Sequence, residues 1–227
     1  MVREILRRVI LFLFRTLTRL EVVGEENIPA SGGCLLATNH LSRLDAPLLF
    51  SLLQRKDSTG LIANKYKRYP FFRWIVEGAK GIWLDRDNPD FAALRAALKY
   101  LRTGGMIGIA PEGTRSPTGS LVQPKPGVAF LAAKANVPIV PVAVIGTEKG
   151  FRSLWRLRRP PIRVEYGVPF LLPKQPGNDR DAALNQAADE IMCQIARLLP
   201  SEYWGVYAEH PRLQELLCTN EKMERVP

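Results

Sequence analysis

His40, one of only two histidines, lies in the run Asn39-His40-Leu41-Ser42-Arg43-Leu44-Asp45, five residues ahead of a carboxylate. A neutral imidazole is the side chain best suited to take a proton near neutral pH. A carboxylate within reach fixes its tautomer and stabilises the imidazolium that forms. The same spacing also suits a buried structural histidine, or a helix cap at Ser42 or Asp45 ahead of Ala46-Pro47, because proline is tolerated in a first helical turn. A second concentration of chemistry is Pro111-Glu112-Gly113-Thr114-Arg115-Ser116. The planar fork of arginine matches phosphate oxygens, and glycine and hydroxyl donors can fill the remaining lone pairs. Lys65 and Arg86 are further candidate cations, although a lone Lys or Arg after a strand is most often a solvated surface charge. The chain has no G-x-S-x-G elbow, no G-x-x-x-x-G-K-[ST] loop and no G-x-G-x-x-G after a strand, which disfavours a serine hydrolase, an NTPase and a dinucleotide enzyme.

These residues need elements to position them. Apolar runs predict strands near 21–24, 34–38, 61–63, 81–84, 106–110, 137–144 and 162–166. Helices are predicted at 46–54, 71–76, 91–101, 127–135 and 179–199. In 91–101, Phe91, Leu94, Leu98 and Leu101 recur at helical spacing, and Thr103-Gly104-Gly105 follows as a C-cap. Pro138 and Pro141 within 137–144 argue for an edge strand or a bulge. Strands alternating with helices imply an α/β fold, a mostly parallel or mixed sheet flanked by helices. Ligands of such sheets bind beyond the carboxyl ends of the strands. His40, Lys65, Arg86 and the 111–116 loop all follow predicted strands, which strengthens the catalytic reading of His40. The division expected is an N-terminal amphipathic helix at 1–20, an α/β domain at 21–199 and a C-terminal extension at 200–227 packed on that domain.

Composition narrows the partners. The chain has 227 residues, 46% of them hydrophobic, enough for a sizeable core. Its net charge of +10 implies an anionic partner: a nucleic acid, an anionic membrane or a phosphorylated substrate. The basic run 152–159, with Trp155 inside it, suits nucleic acid or a membrane surface, but no nucleic-acid reader motif accompanies it, so no nucleic acid is expected. Cys34, Cys193 and Cys218 are scattered, which favours reduced thiols in a cytosolic setting, and with two histidines no metal site is expected. Cys34 reads as a small core residue.

The first twenty residues mix arginines with hydrophobes, and the longest apolar run, residues 9–14, is far short of the ~20 needed to span a bilayer. At roughly 100° per residue, Arg3, Arg7, Arg8, Arg15 and Arg19 fall in one arc of about 160°. Val2, Ile5, Leu6, Val9, Phe12, Leu13, Leu17 and Leu20 lie opposite, while Leu11 and Phe14 stray into the basic arc. Such a helix suits the plane of a membrane interface, with arginines toward anionic head groups and Phe12 and Leu13 on the apolar side. The ordinary alternative is an amphipathic helix packed on its own domain.

Asn39 to Asp45 and Pro111 to Arg115 together resemble the N-H-x-x-x-x-D and P-E-G-T-R motifs of the glycerolipid acyltransferases, specifically the 1-acyl-sn-glycerol-3-phosphate acyltransferases. Two weaker blocks are similar as well: Gly81-Ile82-Trp83-Leu84-Asp85-Arg86, where Trp83 stands in place of the usual phenylalanine, and Val137-Pro138-Ile139-Val140-Pro141-Val142. The resemblance implies that His40, oriented by Asp45, acts as general base on the free hydroxyl of a lysophosphatidate. Attack on the thioester of an acyl-CoA or acyl-carrier protein would follow, with no acyl-enzyme and no bound cofactor. It further implies that Glu112, Gly113, Thr114 and Arg115, with Arg86 and Lys65, hold the glycerol phosphate; with the N-terminal helix and the scattered cysteines, the expected location is the cytoplasmic face of a membrane, peripheral or monotopic. A different lysolipid or glycerol 3-phosphate as acceptor is the alternative within this chemistry. A non-catalytic basic membrane- or nucleic-acid-binding protein is the alternative outside it.

Overall fold

Strand and helix alternate along the chain as their apolar patterns require. The computed structural model describes residues 2–85, 88, 90–156, 158–173 and 179–224. Its first half runs α1 (Val2–Leu17), β1 (Arg19–Val23), β2 (Cys34–Thr38), α2 (Asp45–Leu52), β3 (Ser58–Ala63), α3 (Pro70–Gly78), β4 (Ile82–Leu84) and α4 (Phe91–Arg102). Then follow β5 (Met106–Ile109), α5 (Gly127–Ala135), β6 (Ile139–Ile145), α6 (Gly150–Trp155), β7 (Pro161–Tyr166), α7 (Arg180–Ala196) and α8 (Pro211–Glu224).

The strands form one seven-stranded sheet in the order β1-β7-β6-β2-β5-β3-β4. Only the β6–β7 pairing is antiparallel, so β2 to β6 share one direction while β1 and β7 run against them. Both faces are covered, and the strands show it by alternation. Cys34, Leu36, Val140, Val142 and Val144 enter one core with Phe14 of α1 and with Leu48 and Leu52 of α2. Leu35, Ala37, Ile107, Ile139 and Ala143 enter the other, among side chains of α4, α5, α7 and the C-terminal residues Tyr203, Tyr207, Leu213 and Leu216. Burial pushes the Cys34 thiol up to about 11, which suits a core residue and not a nucleophile.

Two local results differ from the sequence pattern. Pro141 sits in an interior strand, paired with Ala37 of β2. It is tolerated because its missing N–H falls on the β7 side, where one extra residue separates the Val142–Tyr166 pair from the Ile139–Phe170 bridge. This is the bulge that the prolines implied, in a central strand and not at an edge. Arg19, placed by the wheel on the N-terminal helix, instead begins β1 opposite Pro161. The helix stops at Leu17, and Thr18 turns its hydroxyl back to the Phe14 carbonyl at 2.6 Å.

The orientation of α1 also differs. Its stray apolar residues, Leu11 and Phe14, are the ones that dock, with Ile10 beside them: Phe14 is buried, and Ile10 and Leu11 pack against the same core. Arg3 donates to the carbonyls of Lys56 and Ser58 and to the Ser58 hydroxyl, and Arg7 donates to the Ser51 carbonyl at 3.1 Å near the end of α2. These two arginines face the domain, because strand-edge and helix-terminal carbonyls there need donors. Ile5, Val9, Phe12, Leu13 and Leu17 are left exposed as an outward apolar stripe, with Arg8, Arg15 and Arg19 also exposed.

Candidate active site

His40 lies two residues past the end of β2, and its backbone is held in place by its neighbours. The preceding side chain, Asn39, is fully buried and pairs with Val144 of β6 in both directions, donating to its carbonyl and accepting its N–H, each at 2.8 Å. The His40 N–H donates to Glu112 Oε1 at 2.9 Å, and the His40 carbonyl accepts the Ser116 N–H at 2.8 Å. Both chemical runs of the sequence are thus joined at one residue.

The imidazole Nδ1 lies 2.8 Å from Asp45 Oδ2. That oxygen also accepts the N–H groups of Leu41 at 2.7 Å and Ser42 at 2.8 Å, so Asp45, the first residue of α2, ties down the loop ahead of the helix while it meets the ring; it is not the helix cap that its position suggested, because the N-cap is Leu44 and has no side-chain cap. Its other oxygen accepts the Thr147 hydroxyl at 2.5 Å. An acceptor-only carboxylate assigns the proton to Nδ1, which leaves the Nε2 lone pair as the basic site. The His40 side chain keeps 18% of its surface while Asp45 keeps 2%, so the imidazole reaches solvent and its carboxylate does not. A pair of this kind can take a proton from a hydroxyl set against Nε2.

The 111–116 loop divides its labour differently from the sequence expectation. Glu112, placed there on the phosphate, is 2% exposed and turned inward, its oxygens accepting the N–H groups of His40 and Val122. Burial pushes its carboxyl up to about 7 against these two hydrogen bonds. A carboxylate repels a phosphate, and here it serves as the clasp between the two loops. Gly113, expected as a phosphate donor, gives its N–H to the Ala110 carbonyl at 3.0 Å. Its φ of +67°, with Lys125 against the space a Cβ would fill, makes it a conformational requirement of the turn. Thr114 is exposed and Arg115 half-buried, one residue from the Ser116 bond to His40. Lys65 follows β3 and is exposed, its ammonium 5.7 Å from the Tyr66 ring. Arg86 lies outside the described residues. Because β2, β5, β3 and β4 are consecutive and parallel, the loops carrying His40, Arg115 and Lys65 share one rim. Among the described residues, no group of three or more His, Cys, Asp or Glu side chains is placed to hold a metal ion.

A family model described as Acyltransferase matches residues 19–145, which contain both motifs. The chain belongs to the acyltransferase family. It is 29% identical over 185 residues to a 1-acyl-sn-glycerol-3-phosphate acyltransferase of Pseudomonas aeruginosa, covering 78% of this chain and 70% of that relative. It is 32% identical over 137 residues to the chloroplastic 1-acyl-sn-glycerol-3-phosphate acyltransferase BAT2 of Brassica napus, covering 58% of this chain but only 38% of that relative. The crystal structure of the 1-acyl-sn-glycerophosphate acyltransferase PlsC from Thermotoga maritima matches with a TM-score of 0.66 at 24% identity, over 87% of this chain and 79% of that one. The two share the fold.

Within this acyltransferase, two residues that bear on the dyad escaped the sequence reading. Asn39 was visible only as a motif letter, and its lock on Val144 spans 105 positions. Thr147 lies beyond the matched segment, and its only sequence signal is a Gly-Thr pair just past a buried strand.

Proposed function

We propose that this acyltransferase moves a fatty acyl group from a thioester donor, acyl-CoA or acyl-carrier protein, to the sn-2 hydroxyl of 1-acylglycerol 3-phosphate, giving phosphatidate. The observation that carries the reading is the junction at His40, where the base and the loop bearing Arg115 are bonded to one another. His40 Nε2 takes the hydroxyl proton, and the oxygen forms the new bond to the thioester carbonyl carbon. The tetrahedral intermediate collapses with cleavage of the C–S bond, and the thiolate leaves with the proton carried by His40. Asp45 holds the ring and stabilises its cation throughout. Thr114, Arg115, Lys65 and Arg86 hold the acceptor phosphate, with Arg115 presenting the fork that suits two of its oxygens.

The acceptor and product are membrane lipids, and the outward stripe of α1 supports a membrane surface as the place of work. No helix among the described residues is long and apolar enough to cross a membrane. A stripe of Ile5, Val9, Phe12, Leu13 and Leu17 lies in the interface instead, with Arg8, Arg15 and Arg19 near the head groups. The arginines thus contribute as flanks, while Arg3 and Arg7 bind the helix to the domain.

The test mixes the purified chain, mixed micelles of lysophosphatidate and acyl-CoA or acyl-carrier protein, and follows release of the free thiol. Phosphatidate and thiol are expected in equal amounts, with His40→Ala reduced by about 1,000-fold or more. Turnover on glycerol 3-phosphate in preference to lysophosphatidate would replace the acceptor. Activity that survives His40→Ala would remove the general-base mechanism. In the same preparation, Phe12→Glu with Leu13→Glu is expected to release the protein from anionic vesicles in flotation, and continued co-flotation would refute the α1 interface.

A further inference from the structure

Asp45 is buried, and a buried carboxylate beside an imidazole is useful only if its rotation about the side-chain bond is fixed. Three donors converge on Oδ2: the imidazole and the N–H groups of Leu41 and Ser42. Among the described residues Oδ1 has two, the Ser42 hydroxyl at a long 3.4 Å and the Thr147 hydroxyl at 2.5 Å. Thr147 is fully buried and stands 102 residues away in sequence, at the carboxyl end of β6. Its turn is built to stay in place. Gly146 adopts φ +85° where a Cβ would strike the Pro161 carbonyl, so the chain can bend there only as glycine. The next residue, Glu148, accepts the Tyr203 hydroxyl at 2.9 Å, which ties the turn to the C-terminal extension.

We propose that Thr147 is a positioning residue for the reaction: its hydroxyl clamps Asp45 Oδ1 and thereby keeps Oδ2 aimed at His40 Nδ1. The inference rests on His40 as general base. Without the clamp, the carboxylate has a buried oxygen short of a donor and can relieve it by turning, which draws the ring away from the acceptor hydroxyl. The C-terminal extension then has a part in catalysis at one remove, because it holds Glu148 and with it the Thr147 turn.

The experiment compares Thr147→Val, which keeps the shape and removes the hydroxyl, with Thr147→Ser, which keeps the hydroxyl and removes a methyl. Both are assayed by thiol release with lysophosphatidate and acyl-CoA, beside His40→Ala. Thr147→Val is expected to lower kcat by about 10–100-fold with little change in the acceptor KM, and Thr147→Ser to keep most of the wild-type kcat, as for partners that orient a reacting side chain. A role in packing alone reverses the order, with valine tolerated and serine impaired, and that result or equal losses in both would overturn the proposal. Should Thr147→Val give no cooperative melt, Thr147→Ser against Thr147→Ala makes the same comparison, and equal kcat values there would overturn it too. If instead His40→Ala stays active, the general-base reading has failed, and the clamp proposal falls with it for that separate reason.

Discussion

The two halves of the proposed catalytic rim are built on opposite plans. On the base side, Asn39, Asp45, Glu112 and Thr147 are all buried, and their polar atoms are bonded to neighbouring backbone and side chains. On the acceptor side, Thr114 and Lys65 are exposed and Arg115 is half-buried. The difference suits what each half is proposed to handle. A proton transfer demands atoms set within a few tenths of an ångström, so its side chains are braced from several elements. A phosphate is a large, multivalent anion that long cationic side chains can meet from many angles, and keeping them in contact with solvent avoids the cost of burying unpaired charge.

The sharpest way to break this division is Asp45→Asn. The single NH2 of the amide replaces one oxygen only: at Oδ2 it meets the Leu41 and Ser42 N–H groups and no longer accepts the Nδ1 proton, at Oδ1 it meets the Thr147 hydroxyl, and in either orientation the negative charge beside the imidazolium is lost. A fall in kcat on the order of 1,000–10,000-fold is expected, by analogy with amide replacement in a serine-protease triad. The check is kcat per mole of protein that retains a cooperative melt. A loss under about 10-fold would mean that the bracing serves the fold alone and that His40 does not depend on its partner.

How much of this was legible in the sequence depends on the distance over which each fact is decided. Residue types and strand ends are local, so His40, Asp45 and the 111–116 loop were placed on one rim from pattern alone, and α5 was bounded correctly at both ends. Which way a side chain turns is not local. Glu112 carries the letter of a binding residue, but its partner lies 72 residues back and turns it inward. Gly113 looks like a donor until its N–H is seen to close its own turn. On α1 the sequence held the answer in a form easy to discard: Leu11 and Phe14 broke the amphipathic pattern because they are the docking residues. The helix therefore packs by the face that carries Arg3, Arg7, Ile10, Leu11 and Phe14 and leaves Ile5, Val9, Phe12, Leu13 and Leu17 exposed.

Glu112 offers a milder test on the braced side, through pH. Its carboxyl is raised by burial to about 7, against an ordinary 4.5, so between these values the folded state holds a proton that the unfolded state has lost. Stability from this group is therefore greatest below about 4.5 and declines as pH rises through 7, by a total on the order of 3 kcal/mol. Glu112→Gln cannot titrate, so wild-type stability should fall relative to that variant between pH 5 and pH 8 in urea melts. A constant difference across that range would show that the two backbone N–H groups hold the carboxylate ionised throughout. The clasp would then be an ordinary charged one.

The smallest effect is expected on the open side, and it is the one that defines the contrast. Arg115→Ala should raise the acceptor KM by roughly 10-fold while kcat changes little, because a solvated cation contributes binding without shaping the proton transfer. Arg115→Lys should fall between the two, since an ammonium keeps the charge and loses the fork. Added salt should weaken acceptor binding to the wild type more than to Arg115→Ala, because the interaction removed is one that mobile ions screen. The opposite pattern is the instructive failure. If kcat falls and KM holds, Arg115 acts on the transition state, as a donor to the developing oxyanion or the departing thiolate. The loop that Glu112 clasps to His40 would then belong to the braced half, and the acceptor's phosphate would rest on Lys65, Arg86 and Thr114.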